Sequence, residues 1–306
     1  QMSVSIENAT LYKKQFELNQ AYQRFVPHDF INAIGRQSIL EVKLGDHIKR
    51  DMIVMFCDIR AYSAMSEGMT TEENFAFINA YLQRVGPVIQ SHNGFINHYF
   101  GDGFIALFQG EPESALQAAV AILKEIESYN KERVSNQQQP IAVGIGLHKG
   151  PIMMGIIGDN QRHDANVLSD AVNIASRLEG LTKIFGANVV LSENLYQALG
   201  NLELFQFRYL GRIKVKGKQE VMSVFEMFSA DDDQVLQLKQ QTLDVFNRGI
   251  TDYFNKRFAE AALSLRQLLD INPDDKSAKR YLQNAARFMV EGVGNDWDGV
   301  EHMSEK

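Results

Sequence analysis

The chain has 306 residues, 45% hydrophobic and 23% charged, with a net charge of −7. That composition fits a globular protein with an ordinary core and argues against a nucleic-acid binder, which needs a basic face. No apolar stretch nears the ~20 residues of a bilayer span, no signal-peptide pattern is visible, and Cys57 alone allows no intrachain disulfide, so the expected location is cytoplasmic.

Three regions are expected: residues 1–45, 46–229 and 230–306. In the first, Val4, Leu11, Leu18 and Phe25 lie seven apart, one line of a coiled-coil seam. Glu7, Lys14 and Ala21 leave the companion line unwritten, so an ordinary amphipathic helix fits equally well. Pro27 ends that helix. Starting at Gln1, the chain reads as a possible fragment of a longer protein.

The middle region opens with the apolar run Met52 to Cys57, suited to a buried strand. Thr70 and Glu73 form a capping box for a helix over about 71–90. Strands are expected over 95–99 and 104–108, flanking Gly101-Asp102-Gly103 as a hairpin. A helix over 114–130 and a polar loop over 131–140 follow. Then come two strands, 141–147 and 152–157, joined through Lys149-Gly150, and a helix over 169–181. A strand near Val189, a helix over 193–199 and strands near 205–210 and 221–228 complete the region. The opening order, β-α-β-β-α-β, is that of a ferredoxin-like α+β sheet. In the last region Gly249, Ala261 and Pro273 sit twelve apart, the spacing of a tetratricopeptide-type helix pair. Such a pair needs a surface to dock on, and a plain helical tail is the alternative.

The candidate chemistry lies in the middle region. Asp58 ends the first strand and Asp102 sits at the hairpin tip. A ferredoxin-like sheet brings these two together at one edge, where two carboxylates repel unless a cation lies between them. Oxygen ligands suit Mg²⁺ or Mn²⁺, and two such ions serve an in-line displacement at phosphorus. Asn173 and Arg177 are four apart and share a helix face; guanidinium suits phosphate, and the amide suits a ring or hydroxyl oxygen. Lys216 and Lys218 stand at a tight turn between late strands. Each signal alone has a plain structural reading as turn former, cap or solvated surface.

Together, Phe56-Cys57-Asp58-Ile59-Arg60, Phe100-Gly101-Asp102-Gly103-Phe104, Asp170 to Arg177 and Val215-Lys216-Gly217-Lys218 resemble the class III adenylate and guanylate cyclase family. The segment Trp297-Asp298-Gly299-Val300-Glu301 resembles a bacterial subgroup with a C-terminal helical extension. The resemblance implies a homodimer with shared active sites, making a cyclic nucleotide and pyrophosphate from a nucleoside triphosphate. It implies two Mg²⁺ or Mn²⁺ ions on Asp58, Asp102 and the backbone of Ile59. It implies that Asn173 and Arg177 come from the other chain, that Lys216 meets the terminal phosphates, and that backbone amides of Ile59, Arg60, Ala61, Tyr62 and Ser63 cradle the triphosphate. The resemblance also offers Arg162 as a further phosphate contact.

The base readers depart from the family. His98 stands where adenylate cyclases usually carry Lys, and Asn166 where Thr or Asp is common; the Glu and Cys of guanylate cyclases are absent too. The expectation is an ATP cyclase with atypical base reading. GTP, or a pyrimidine triphosphate, is the alternative substrate. A catalytically silent nucleotide-sensing or partner-binding module is a third reading, and the Asn173/Arg177 helix speaks against cyclic-dinucleotide synthesis. An upstream sensor is expected as a partner.

Overall fold

The computed structural model describes residues 2–23, 28–214 and 221–302. Helix α1 (Met2–Gln23) leaves Leu11, Phe16 and Leu18 exposed; Phe25 and Pro27 lie outside the described residues. Helix α2 (His28–Ala33) precedes strand β1 (His47–Ile59), then come α3 (Tyr62–Ser66), α4 (Thr71–Ser91), β2 (Gly94–Phe100), β3 (Gly103–Phe108) and α5 (Pro112–Ser135). Next are β4 (Val143–Gly158), β5 (His163–Leu168), α6 (Asp170–Phe185), β6 (Val189–Ser192), α7 (Glu193–Ala198), β7 (Phe207–Lys214) and β8 (Val221–Met227). The chain finishes with α8 (Asp233–Phe254), α9 (Phe258–Ile271), α10 (Lys276–Glu291) and β9 (Val300–His302).

The strands form one sheet in the order β2-β3-β1-β4-β6-β8-β7-β9, with β5 added to β4. Its first four strands have the ferredoxin-like order. The expected capping box is present: Glu73 N donates to Thr70 Oγ1 (3.2 Å) and Thr70 N to Glu73 Oε2 (2.8 Å). Residues of one parity along β1 and β3, such as Met55, Cys57 and Phe104, pack under α4 and α5. The other parity, including Met52, Val54 and Leu107, faces α2 and the start of α6 through Phe30, Ala171 and Ala175.

Two expectations between residues 131 and 168 need correction. The polar stretch after residue 130 continues as helix to Ser135, because buried Arg133 lays its guanidinium over the rings of Phe77 and Tyr129. The two strands expected around Lys149-Gly150 are one strand, β4, paired with β1 without a break from Ile59↔Val143 to His47↔Gly155. β5, unforeseen, pairs with the far half of β4.

α6 lies directly on bare β4 backbone. A Cβ on Gly146 would sit 2.1 Å from Ala175 O and 2.3 Å from Glu179 N, and one on Gly144 2.5 Å from Thr182 Oγ1. Gly146→Ala therefore must lift α6 off the sheet. The expected cost is about 1–3 kcal/mol of stability, read by urea denaturation, with turnover falling as well. Wild-type stability in that variant would show that the helix is not seated on this strand.

The C-terminal helices share a core with α6 and β7/β8, built from Phe185, Leu210, Val224, Phe246, Tyr253, Leu265 and Tyr281 among others. The spacing of Gly249 and Ala261 reflects close packing of α8 on α9, where a Cβ on Gly249 would lie 3.0 Å from Leu265; Pro273 falls in the turn before α10. Trp297 meets Tyr253 and Phe258 edge-on, with centroids 5.5 and 5.4 Å apart. This anchors the segment that adds β9 to the sheet.

Candidate active site

Asp58 is the penultimate residue of β1, and Asp102 lies in the β2–β3 turn. Gly101 adopts φ +63°, a left-handed conformation that suits glycine. Pairing of Cys57 with Phe104 sets the turn beside the end of β1. Ile59 N donates to Asp102 Oδ2 at 3.2 Å, so main chain from one side chain's strand fixes the other side chain. Both carboxyls are half-buried. Burial first, then the adjacent Asp58 carboxyl, push the Asp102 carboxyl up to about 7. Two acids this close share either a proton or a cation.

The donor set fits a hard divalent cation. It consists of two carboxylates and the main-chain carbonyl of Ile59, and among the described residues no third His, Cys, Asp or Glu completes a metal cage. Mg²⁺ and Mn²⁺ suit such a partial set because they keep waters and take phosphate oxygens as further ligands.

Two neighbours escaped the sequence reading. Lys183 Nζ lies 3.6 Å from Asp58 Oδ2 and 3.7 Å from Glu179 Oε1. Glu179 is fully buried, one helical turn before Lys183. Their i,i+4 spacing was visible in the sequence; that the far half of α6 crosses the end of β1 was not.

The expected phosphate cradle is shorter than foreseen. Ile59 N is committed to Asp102, and Arg60 N donates to Ala142 O at 2.8 Å. The Arg60 guanidinium turns inward and donates to Ala187 O. Only Ala61, Tyr62 and Ser63 remain at the opening of α3. Ala61 holds φ 53°, ψ 28° as the N-cap, a left-handed state unusual for alanine. Strain of this kind, on the order of 1–3 kcal/mol, gathers at ligand clamps.

His98 is exposed on β2. A bulge at Asn97 sets it opposite Ile105, which in turn pairs with Phe56. His98 thus continues a row across the sheet on the face that Asp58 shares. Asn166 lies on β5 opposite Gly155, and its Oδ1 accepts from Val167 N at 2.7 Å. No hydrogen bond joins His98 to Asn166 among the described residues. Arg162 is exposed in the β4–β5 turn, where Asp159 Oδ1 accepts from its amide at 2.9 Å.

Asn173 is exposed and Arg177 half-buried on α6, opposite the buried Ile174, Ala175 and Leu178. Helical rise puts Asn173 about 15 Å and Arg177 about 9 Å along the axis from Lys183. Since Lys183 marks where α6 meets Asp58, the chain does not bring Asn173 to its own carboxylate pair. Lys216, with Val215, Gly217 and Lys218, lies outside the described residues.

The family model for the adenylate and guanylate cyclase catalytic domain matches residues 47–227. An adenylate cyclase of Anabaena cylindrica is 41% identical over 213 residues, which cover 68% of this chain and 42% of that protein. The terminal-differentiation-specific adenylate cyclase of Dictyostelium discoideum is 29% identical over 280 residues, 89% of this chain and 13% of that protein. The chain thus spans less than half the length of these relatives. A bacterial light-regulated adenylyl cyclase shares the fold at a TM-score of 0.63 and 24% identity, over 76% of this chain and 68% of that one. The adenylyl cyclase CyaB from P. aeruginosa does so at a TM-score of 0.52 and 22% identity, over 61% of this chain and 98% of that one. Among the described residues no helix is long and apolar enough to cross a membrane.

Proposed function

The chain belongs to the adenylate and guanylate cyclase family, and on that premise we propose that it converts ATP to 3′,5′-cyclic AMP and pyrophosphate. The observation that carries this reading is the convergence of Asp58 and Asp102, fixed by the Ile59 amide. Asp58, Asp102 and the Ile59 carbonyl would hold two Mg²⁺ or Mn²⁺ ions, which when bound acidify the ribose 3′-hydroxyl and offset phosphate charge. The amides of Ala61, Tyr62 and Ser63 receive the triphosphate, at a helix start where N–H groups point outward. Lys216 meets its terminal phosphates.

The ribose 3′-oxygen attacks the α-phosphorus as its proton passes to solvent. The bond to the β-phosphate oxygen breaks, and pyrophosphate leaves. Asn173 and Arg177 of a second copy orient the ribose and hold the charge that builds on the α-phosphoryl oxygens. The ~15 Å along α6 between Asn173 and the Asp58 contact supports this two-chain site. His98 and Asn166 take the edge of the base, each offering a donor and an acceptor. An upstream sensor acting through α1 completes the proposal.

The test is turnover of purified protein with Mn²⁺ and each of ATP, GTP, CTP and UTP, with products resolved by chromatography. Cyclic AMP is the expected main product. A wide preference for GTP would overturn the adenylate assignment, and no cyclic nucleotide from any substrate would overturn the enzymatic one.

A further inference from the structure

We propose that Lys183 is a built-in counter-cation of the metal site and sets how tightly the Asp58/Asp102 pair takes a divalent ion. The inference rests on the metal-site reading above. It starts from the position of one ammonium group, 3.6 Å from Asp58 Oδ2 and 3.7 Å from Glu179 Oε1.

Lys183 is not a loosely placed surface residue. α6 sits on the bare backbone of Gly144 and Gly146, with Glu179 directly above them. The end of α6 is also held: Ser277 Oγ donates to Phe185 O at 2.9 Å, and the Lys276 side chain covers Gly186. The helix therefore fixes the Lys183 backbone within side-chain reach of Asp58. Its side chain keeps 40% of its surface in water, so the ammonium can swing away without being buried elsewhere.

The charges around it explain the placement. Asp58, Asp102 and Glu179 bring three carboxyls to the end of β1. Arg60 also lies there; one of its nitrogens donates to Ala187 O, and its charge acts on Glu179 rather than pairing with Asp58. Among the described residues, Lys183 is the cation paired with Asp58. A divalent ion binding Asp58 meets that positive charge and must share the carboxylate with it or send it back towards Glu179. Metal arriving with a triphosphate brings its own negative charge, so the penalty falls mainly on metal binding without nucleotide. Lys183 thus favours loading of metal together with substrate, and acts as a positioning residue.

The test is Mn²⁺ binding to nucleotide-free protein, read by the electron paramagnetic resonance signal of free Mn²⁺ and by calorimetry. Removing one like charge near a divalent ion at a partly exposed site is worth about tenfold in affinity. Lys183→Met should bind Mn²⁺ about that much tighter than wild type, and the gap should shrink as salt rises. Lys183→Arg, which keeps the charge, should stay near wild type. Lys183→Gln serves in place of the Met variant if thermal melting shows that one to be unfolded. Equal or weaker Mn²⁺ binding without the lysine charge would overturn the inference while leaving the metal site standing. Absence of Mn²⁺ binding in both wild type and Lys183→Met, or binding that survives Asp58→Ala unchanged, would overturn both.

Discussion

Asp58→Ala and Asp102→Ala should each bring turnover below detection while the protein stays folded, and Arg177→Ala should lower kcat by about 10²–10³-fold, the usual cost of one lost transition-state donor. Folding should survive because the two carboxyls oppose one another, as the upward push of Asp58 on Asp102 shows. Truncating either removes a repulsion together with one contact, the Ile59 amide on Asp102 or the Lys183 ammonium on Asp58, so the melting temperature should change little. The sharper result comes from mixing. In a symmetric dimer with shared sites, equal amounts of Asp58→Ala and Arg177→Ala chains yield mixed dimers for about half the total. Each of those holds one whole site, restoring about a quarter of wild-type activity. A site built within one chain would give no rescue, and that outcome would remove the two-chain geometry from the proposal.

The carboxylate pair was legible because its two ingredients are local. A buried strand ending in Asp and a hairpin with Asp between glycines need only the ferredoxin-like order to meet, and the strand order supplies it. What escaped depends on elements crossing far from each other in sequence. Lys183 and Glu179 reach the site because two glycines let α6 settle onto β4. The bulge at Asn97 breaks the alternation that would otherwise assign the face of His98. Gly150 signals a turn, yet it pairs with Met52 inside β4, because the β1 ladder on one side outweighs a local preference. β5 was missed because it begins with exposed His163 and Asp164 and its apolar alternation is only two residues long, Ala165 and Val167. The internal commitment of the Ile59 and Arg60 amides could not be foreseen, since both partners lie more than forty residues away.

The largest stability effect should come from Arg208→Met. Arg208 on β7 is buried and donates to Glu226 on β8 and to Asp275 before α10, the latter at 2.5 Å, with its guanidinium 4.5 Å over Phe246. Lys239 on α8 joins the same cluster, donating to Glu226 at 2.6 Å and to Asp231. Removing one partner from a buried ionic network leaves charge without compensation, at about 3–5 kcal/mol. Glu226 keeps Lys239, so the loss falls on Asp275, which also accepts from Ala278 N at 2.9 Å and caps α10. Burial alone would raise the Asp275 carboxyl, but Arg208 outweighs it and holds the group below its ordinary value.

The sign of the pH dependence follows. In wild type, Asp275 contributes stability above its unfolded pKa and loses it as pH falls through the lower folded value. Without Arg208, burial dominates and the folded pKa rises above the unfolded one. The variant then loses stability as pH climbs through that interval. The gap between wild type and Arg208→Met, measured by guanidinium denaturation, should therefore be wider at pH 8 than in acid. A gap that stays constant with pH would mean that lost packing on Phe246, not stranded charge, sets the cost. Turnover should fall alongside, because α10 holds the end of α6 through Ser277, and α6 carries Asn173, Arg177 and Lys183.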